Sequence, residues 1–143
     1  MNVERSHWRD QEISERHRLW SSDCPAADVD FLLVEFNHFQ PCALLDYKKF
    51  KPCQTLGGAS IRVLRNLADG YGPTPLPFAV VFYRPTDWTF WVLPENDAAE
   101  KAFAENSKRW LSEIEFVGLL LGLRNRALSA NDAQRLEALR KKD

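Results

Sequence analysis

Two apolar segments separated by a short polar stretch constrain this chain more than any other feature. Asp28 to Phe36 reads Asp-Val-Asp-Phe-Leu-Leu-Val-Glu-Phe, and Cys42 to Lys48 reads Cys-Ala-Leu-Leu-Asp-Tyr-Lys. Successive side chains of a strand point to opposite faces, so a run that is apolar at both parities needs cover on both faces. Strands of this kind lie inside a sheet with helices packed on each side, which predicts an α/β fold class. Asn37 to Pro41 supply the turn, so the two segments are expected as strands 28–36 and 42–48 of one antiparallel hairpin.

The remaining pattern fits one domain, residues 1–143, with a core over about 12–94 and C-terminal helices over about 97–142. Trp8, Ile13, His17 and Trp20 fall close to one face of an amphipathic helix over residues 3–20. Ile61, Leu64 and Leu67/Ala68 recur at helical spacing over Ala59 to Asp69, and Gly70 to Gly72 end that helix. Phe78 to Tyr83 and Trp88 to Leu93 are predicted strands joined by the turn Arg84 to Asp87. Asp97 with Glu100 is expected to cap a short helix, and Ser112 with Glu115 another reaching about Leu123. Ser129 or Asn131 then starts a charged helix to Lys142. At 143 residues the chain buries roughly two thirds of its unfolded surface. A single domain with a central mixed β-sheet flanked by helices follows.

Several function classes drop out. The longest apolar run, Phe116 to Leu123, is far short of the ~20 residues of a spanning helix and is followed by Arg124 and Arg126, so no membrane partner is expected. The first 25 residues are mixed in charge and lack the apolar core of a signal peptide, so the expected location is cytoplasmic. Cys24, Cys42 and Cys53 are odd in number and form no CxxC pair. With His38, Cys42 and Cys53 sketch only part of a zinc site, and small buried thiols are the better reading. Gly57 and Gly58 lack the neighbours of a phosphate-binding loop. Nineteen basic and twenty acidic side chains give a net charge of −1, so any polyanion has to be held by a local patch. Tyr47 to Ala68 is that patch: Lys48, Lys49, Lys51, Arg62 and Arg65 stand there without an acid. Lys49, Lys51, Arg62 and Arg65 are its candidate nucleic-acid contacts.

The chemistry is concentrated at the acidic strand ends. Asp28 and Asp30 share a face with Leu32 and Val34, and Asp46 and Lys48 share one with Leu44. A hairpin pivoting near Phe39 sets Asp30 across from Lys48 and diagonal to Asp46. Charges beside buried apolar strands are costly unless they pair or bind a cation. Two carboxylates become easy to ionise around a hard divalent ion, and Mg²⁺ takes one or two carboxylates plus water and substrate oxygens. A lysine beside such an ion suits phosphodiester hydrolysis.

Asp30 followed by Asp46-Tyr47-Lys48, after a helix bearing Glu15 and before a helix and strand, resembles the PD-(D/E)xK nuclease superfamily. The segment Ser14 to Arg18 through Lys48 is similar to its small phage and prophage members, in a resolvase-like branch. The resemblance covers about Glu12 to Tyr83. It implies a restriction-endonuclease-like sheet, Mg²⁺ or Mn²⁺ as cofactor, and metal ligands at Asp30, Asp46 and the main-chain oxygen of Tyr47. It further implies Lys48 as the catalytic lysine, with Glu15 as an added acid, while Asp28 competes with Asp30. The Pro-Asp half of the motif is absent, and Gln54 falls outside the helix in which one branch carries a glutamine. The implied activity is metal-dependent DNA endonuclease, acting on branched DNA. The alternative is a nuclease-like scaffold that binds nucleic acid or a host protein without cleaving.

Blander readings stand beside these. Asp46 and Lys48 make a surface ion pair, Glu15 is a solvated helix residue, and His17 packs a helix face; His7 and His38 have no assigned role. Trp88, Phe90 and Trp91 make either a base-stacking platform or core with one exposed ring. The apolar stripe Trp110, Ile114, Val117, Leu120, Leu121, Leu136 and Leu139 predicts a homodimer built on the helices after Ser112.

Overall fold

The computed structural model describes residues 11–20, 23, 25–35, 39–52, 58–124 and 129–142. Their order is α1 (Gln11–Leu19), β1 (Phe31–Glu35), β2 (Gln40–Lys49), α2 (Gly58–Asp69), β3 (Phe78–Arg84), β4 (Thr89–Pro94), α3 (Asp97–Phe103), a 3₁₀ turn (Ala104–Asn106), β5 (Trp110–Leu111), α4 (Glu113–Leu123) and α5 (Ala130–Lys142). The five strands form one sheet in chain order. Every neighbouring pair is antiparallel except β2 and β3, which are parallel and joined through α2. The expected α/β architecture, a mixed sheet flanked by helices, is present. No helix among the described residues is long and apolar enough to cross a membrane.

Each sheet face has its own core. On one, Ile61, Leu64 and Ala68 of α2 cover Leu44, Phe78 and Val80. On the other, Ala99 and Phe103 of α3 and Phe116 of α4 cover Leu45, Ala79, Val81, Phe90, Val92 and Leu111. The adjacent residues Leu44 and Leu45, and Val80 and Val81, therefore serve opposite cores, which is what a run apolar at both parities demands. Burying side chains of this size stabilises the fold by ~1.5–3 kcal/mol each.

Several expected boundaries move, for local reasons. Residues 3–10 of the predicted first helix lie outside the described residues. The first strand begins at Phe31, and Asp28 to Asp30 precede it outside the strand. The hairpin does not pivot at Phe39. Phe31 pairs with Leu45 and Leu33 with Ala43, but Val34 pairs with Pro41. Cys42 is thus an extra residue on β2, a β-bulge, and the turn tightens over Phe39, whose φ is 54°. Trp110 leaves the predicted helical stripe for β5, where it pairs with Trp91. Of that stripe, Ile114, Val117, Leu120, Leu121 and Leu136 are half-buried and Leu139 is exposed. The capping box of α4 is formed: Glu115 N–H donates to Ser112 Oγ and Ser112 N–H to the Glu115 carboxylate. Ser129 and Asp132 exchange the same two bonds at the start of α5.

The cap of α3 is Asn96, not Asp97, and it does more than cap. Its Oδ1 accepts from Ala99 N–H at 2.9 Å and from Phe78 N–H at 3.0 Å. Its Nδ2 donates to Leu76 O at 2.7 Å and to Asp69 Oδ1 at 2.9 Å. One buried amide thereby joins the end of α2, the start of β3 and the first turn of α3. Asn96→Ala strands two backbone donors, Phe78 N–H and Ala99 N–H, and one backbone acceptor, Leu76 O, in the interior and is expected to cost about 2–4 kcal/mol. Urea denaturation checks this; a loss below that of an ordinary surface substitution would refute the role.

Candidate active site

Asp46 and Lys48 project from β2 on the face covered by α2, in step with Leu44. Asp46 is 9% exposed, a carboxylate within the central sheet next to Val80 of β3. Lys48 Nζ lies 3.2 Å from Asp46 Oδ2. Two other ion pairs of comparable burial join distant parts of the chain. Arg65 of α2 holds Glu95 at 2.7 Å, and Arg124 after α4 holds Glu35 of β1 at 3.2 Å. Asp46 and Lys48, two residues apart on one strand, tie nothing distant together. The cost of placing a charge there is not explained by tertiary anchoring.

Asp30 precedes β1 and is exposed, as is Asp28. Carried beyond the Phe31–Leu45 pair, the observed register sets Asp30 across from Asp46 and Asp28 across from Lys48. The expected register differed by two residues, so the parity of the β2 side chains is as expected, and the continued register sets Asp46 rather than Lys48 across from position 30. Both Asp28 and Asp30 also make interactions of their own.

Tyr47 points to the opposite face. Its ring meets Phe31 edge-on at 4.9 Å and Phe116 at 6.1 Å, so only its main chain can serve the Asp46 side. Leu44 N–H and Phe50 N–H both donate to the β3 side, to Pro77 O and Tyr83 O. By the two-residue period of a strand, Tyr47 turns its main chain toward the β1 side, two residues past Leu45 of the last β1–β2 pair, where the continued register sets it across from Val29, between Asp28 and Asp30. Asp30, Asp46 and the Tyr47 carbonyl are thus hard oxygen donors of the kind that Mg²⁺ takes. Among the described residues no group of three or more His, Cys, Asp or Glu is arranged as a metal cluster.

The other candidates separate. Glu15 is exposed on α1 and accepts from Gln11 Nε2 at 3.3 Å. His17 stacks obliquely on Trp20 at 5.4 Å, in line with a packing role. Lys49 faces away from Lys48, across from Tyr83. Lys51 and Arg62 are exposed, whereas Arg65 also donates from Nε to Glu95 O at 2.6 Å and is committed to that residue. The basic patch is therefore split over two faces and partly spent on structure. Cys42 is a half-buried free thiol whose pKa burial pushes up, while Cys24, His38 and Cys53 lie outside the described residues.

The sequence reading missed the surroundings of Lys48. Phe82, Trp91 and Trp110 stand on the same face, a consequence of strand pairing that no short motif reveals. Trp88 and Phe90 go to the opposite core, where Phe90 stacks on Phe116 at 4.4 Å. No family model matches the chain, and no curated protein and no solved structure matches it.

Burial pushes the Tyr47 phenol up to about 12, above its ordinary 10. The folded state therefore holds this proton more tightly than the unfolded chain does. Its contribution is complete below pH 10 and is lost as pH rises from there through about 12. Tyr47→Phe is expected to remove that part of the alkaline loss, read as urea midpoints at pH 9 and above. Equal alkaline loss in both proteins would contradict it.

Proposed function

We propose that this chain is a Mg²⁺- or Mn²⁺-dependent DNA endonuclease of the resolvase-like, phage-related kind that its resemblance to the PD-(D/E)xK superfamily implies. The observation that carries the reading is Asp46: a nearly buried carboxylate on a central strand, paired locally with Lys48, with the segment that bears Asp30 leading into the neighbouring strand β1. A structural carboxylate at that position would be expected to bridge elements, as Glu95 and Glu35 do.

Asp30 and Asp46 would hold the metal, with the Tyr47 carbonyl completing the protein's share. Such an ion supplies a water of lowered pKa and neutralises charge on the scissile phosphate. Lys48, held at Asp46, carries its ammonium to the same place, where it orients the attacking oxygen and offsets negative charge building on the phosphate. The apolar floor of Leu44 and Val80 limits water around the carboxylate and strengthens both effects. Glu15 joins this set if α1 closes on it.

Cleavage of plasmid and branched DNA with Mg²⁺ tests the reading. Asp46→Asn and Lys48→Ala are each expected to lower the rate by at least about a hundredfold. Asp46→Asn should keep or raise the melting temperature, because it relieves a buried charge in a nearly isosteric way. Wild-type cleavage in both variants overturns the proposal. DNA binding without cleavage, or neither, moves the chain to the scaffold reading, with nucleic acid or a host protein as its partner. The split basic patch and net charge of −1 give that second reading its support.

A further inference from the structure

The sheet register places four side chains abreast beside the candidate site. Lys48 pairs with Phe82, Phe82 with Trp91, and Trp91 with Trp110, across β2, β3, β4 and β5. Paired residues share a face, so this row lies on the α2 side of the sheet, one step beyond Asp46. Strands about 4.8 Å apart make the row roughly 14 Å long. α2 packs on its Phe82 end. All three aromatic residues remain partly exposed.

The rings are organised as a cluster. Trp91 and Trp110 meet at 5.5 Å with an interplanar angle of 67°. Phe50, 41% exposed after β2, stands edge-on to Phe82 at 6.4 Å and to Trp110 at 5.2 Å, so it bridges the row from above. The Arg84 guanidinium lies 3.6 Å over the Trp110 ring, and its Nε donates to Thr89 Oγ1 at 3.0 Å. The row is therefore a cluster of rings packed edge to face, with Lys48 beside Phe82 and the Arg84 guanidinium over Trp110. Unpaired nucleotides combine flat bases with an anionic backbone, and this pattern complements both. A continuous duplex keeps its bases stacked on one another and presents none to such a surface.

We propose that Phe82, Trp91 and Trp110, with Arg84 and Phe50, form a stacking platform for the unpaired bases of a nucleic-acid strand whose phosphate is handled at Asp46 and Lys48. The inference deepens the nuclease reading and rests on it for the position of the phosphate. It assigns the substrate class: single strands, or single-stranded parts of forks and flaps, in preference to intact duplex.

Binding of labelled oligothymidylate, oligouridylate and a DNA duplex of the same length, all in EDTA, tests the platform without asking for cleavage. Wild type is expected to prefer a single strand by about tenfold or more, with quenching of tryptophan fluorescence, and the two oligonucleotides separate DNA from RNA. Trp91→Ala and Trp110→Ala should each weaken single-strand binding by about five- to a hundredfold, the range covered by one lost stacked base. Trp91→Phe should recover most of it. If an alanine variant fails to fold, the Trp91→Phe/Trp110→Phe protein decides the matter, because most of its quenching should vanish while it still binds. Duplex preference, unchanged binding in the alanine variants, or binding of neither form overturns the platform. Single-strand binding that depends on these rings, without Mg²⁺-dependent cleavage, keeps the platform and rejects the nuclease. Cleavage that needs Asp46 but ignores the rings does the reverse.

Discussion

The fold turns on one side chain, Asn96. A parallel β2–β3 pair requires α2 to carry the chain back along the sheet, and the return has to place Phe78 in register with Leu44. Asn96 fixes that return. Its amide receives the Phe78 N–H and binds the Leu76 carbonyl and the Asp69 carboxylate, while it caps α3 through Ala99. All four partners are met by one planar group with two acceptor sites and two donors, so an aspartate or a serine there would leave some of them unpaired. Because β3 sets the position of β4, and β4 that of β5, the Lys48–Phe82–Trp91–Trp110 row inherits its alignment from this junction. Arg65 and Glu95 reinforce the same place from α2.

The fold was legible wherever periodicity and capping chemistry act locally. The doubly apolar runs gave β1, β2 and the two-faced sheet, Ile61, Leu64 and Ala68 gave α2, and the Ser112–Glu115 spacing gave the start of α4. Three features lay beyond local pattern. The bulge at Cys42 shifts the hairpin register by one residue between Leu33 and Val34, which no local pattern marks. β5 is two residues long, too short for any period to show, and it exists because Trp110 and Leu111 pair with β4. Asn96 was overshadowed by Asp97 because both residue types favour the N-cap, and the choice is made by the tertiary partners that only Asn96 reaches.

The candidate site was legible in its residues more than in its setting. Asp46 and Lys48 share a face in the structure as the two-residue period requires, and the continued register sets Asp46 across from position 30. The spacing could not say that Asp46 would be almost closed off from solvent while its cation stays half-open, at 13% and 33% side-chain exposure. Nor could it divide the basic residues, because Arg65 is drawn to Glu95, 30 positions away, and Lys49 follows its parity to the other face. A run of like charge in a sequence is a statement about composition; a field at a surface depends on which members fold together.

The two faces of the sheet are covered unequally. On the α3–α4 side, Phe103 and Phe116 seal the sheet, and Tyr47, Tyr83 and Trp88 pack against that core, so its polar ends are closed by rings. On the other side one helix covers Leu44, Phe78 and Val80, and the carboxyl-terminal ends of the parallel pair β2 and β3 extend past these buried residues. Asp46 and Lys48 stand at that end, and Phe82, Trp91 and Trp110 continue the row from Lys48 across three strands. The Asp46–Lys48 ion pair, which anchors no second element, and the aromatic row beside it thus share the face that a single helix covers.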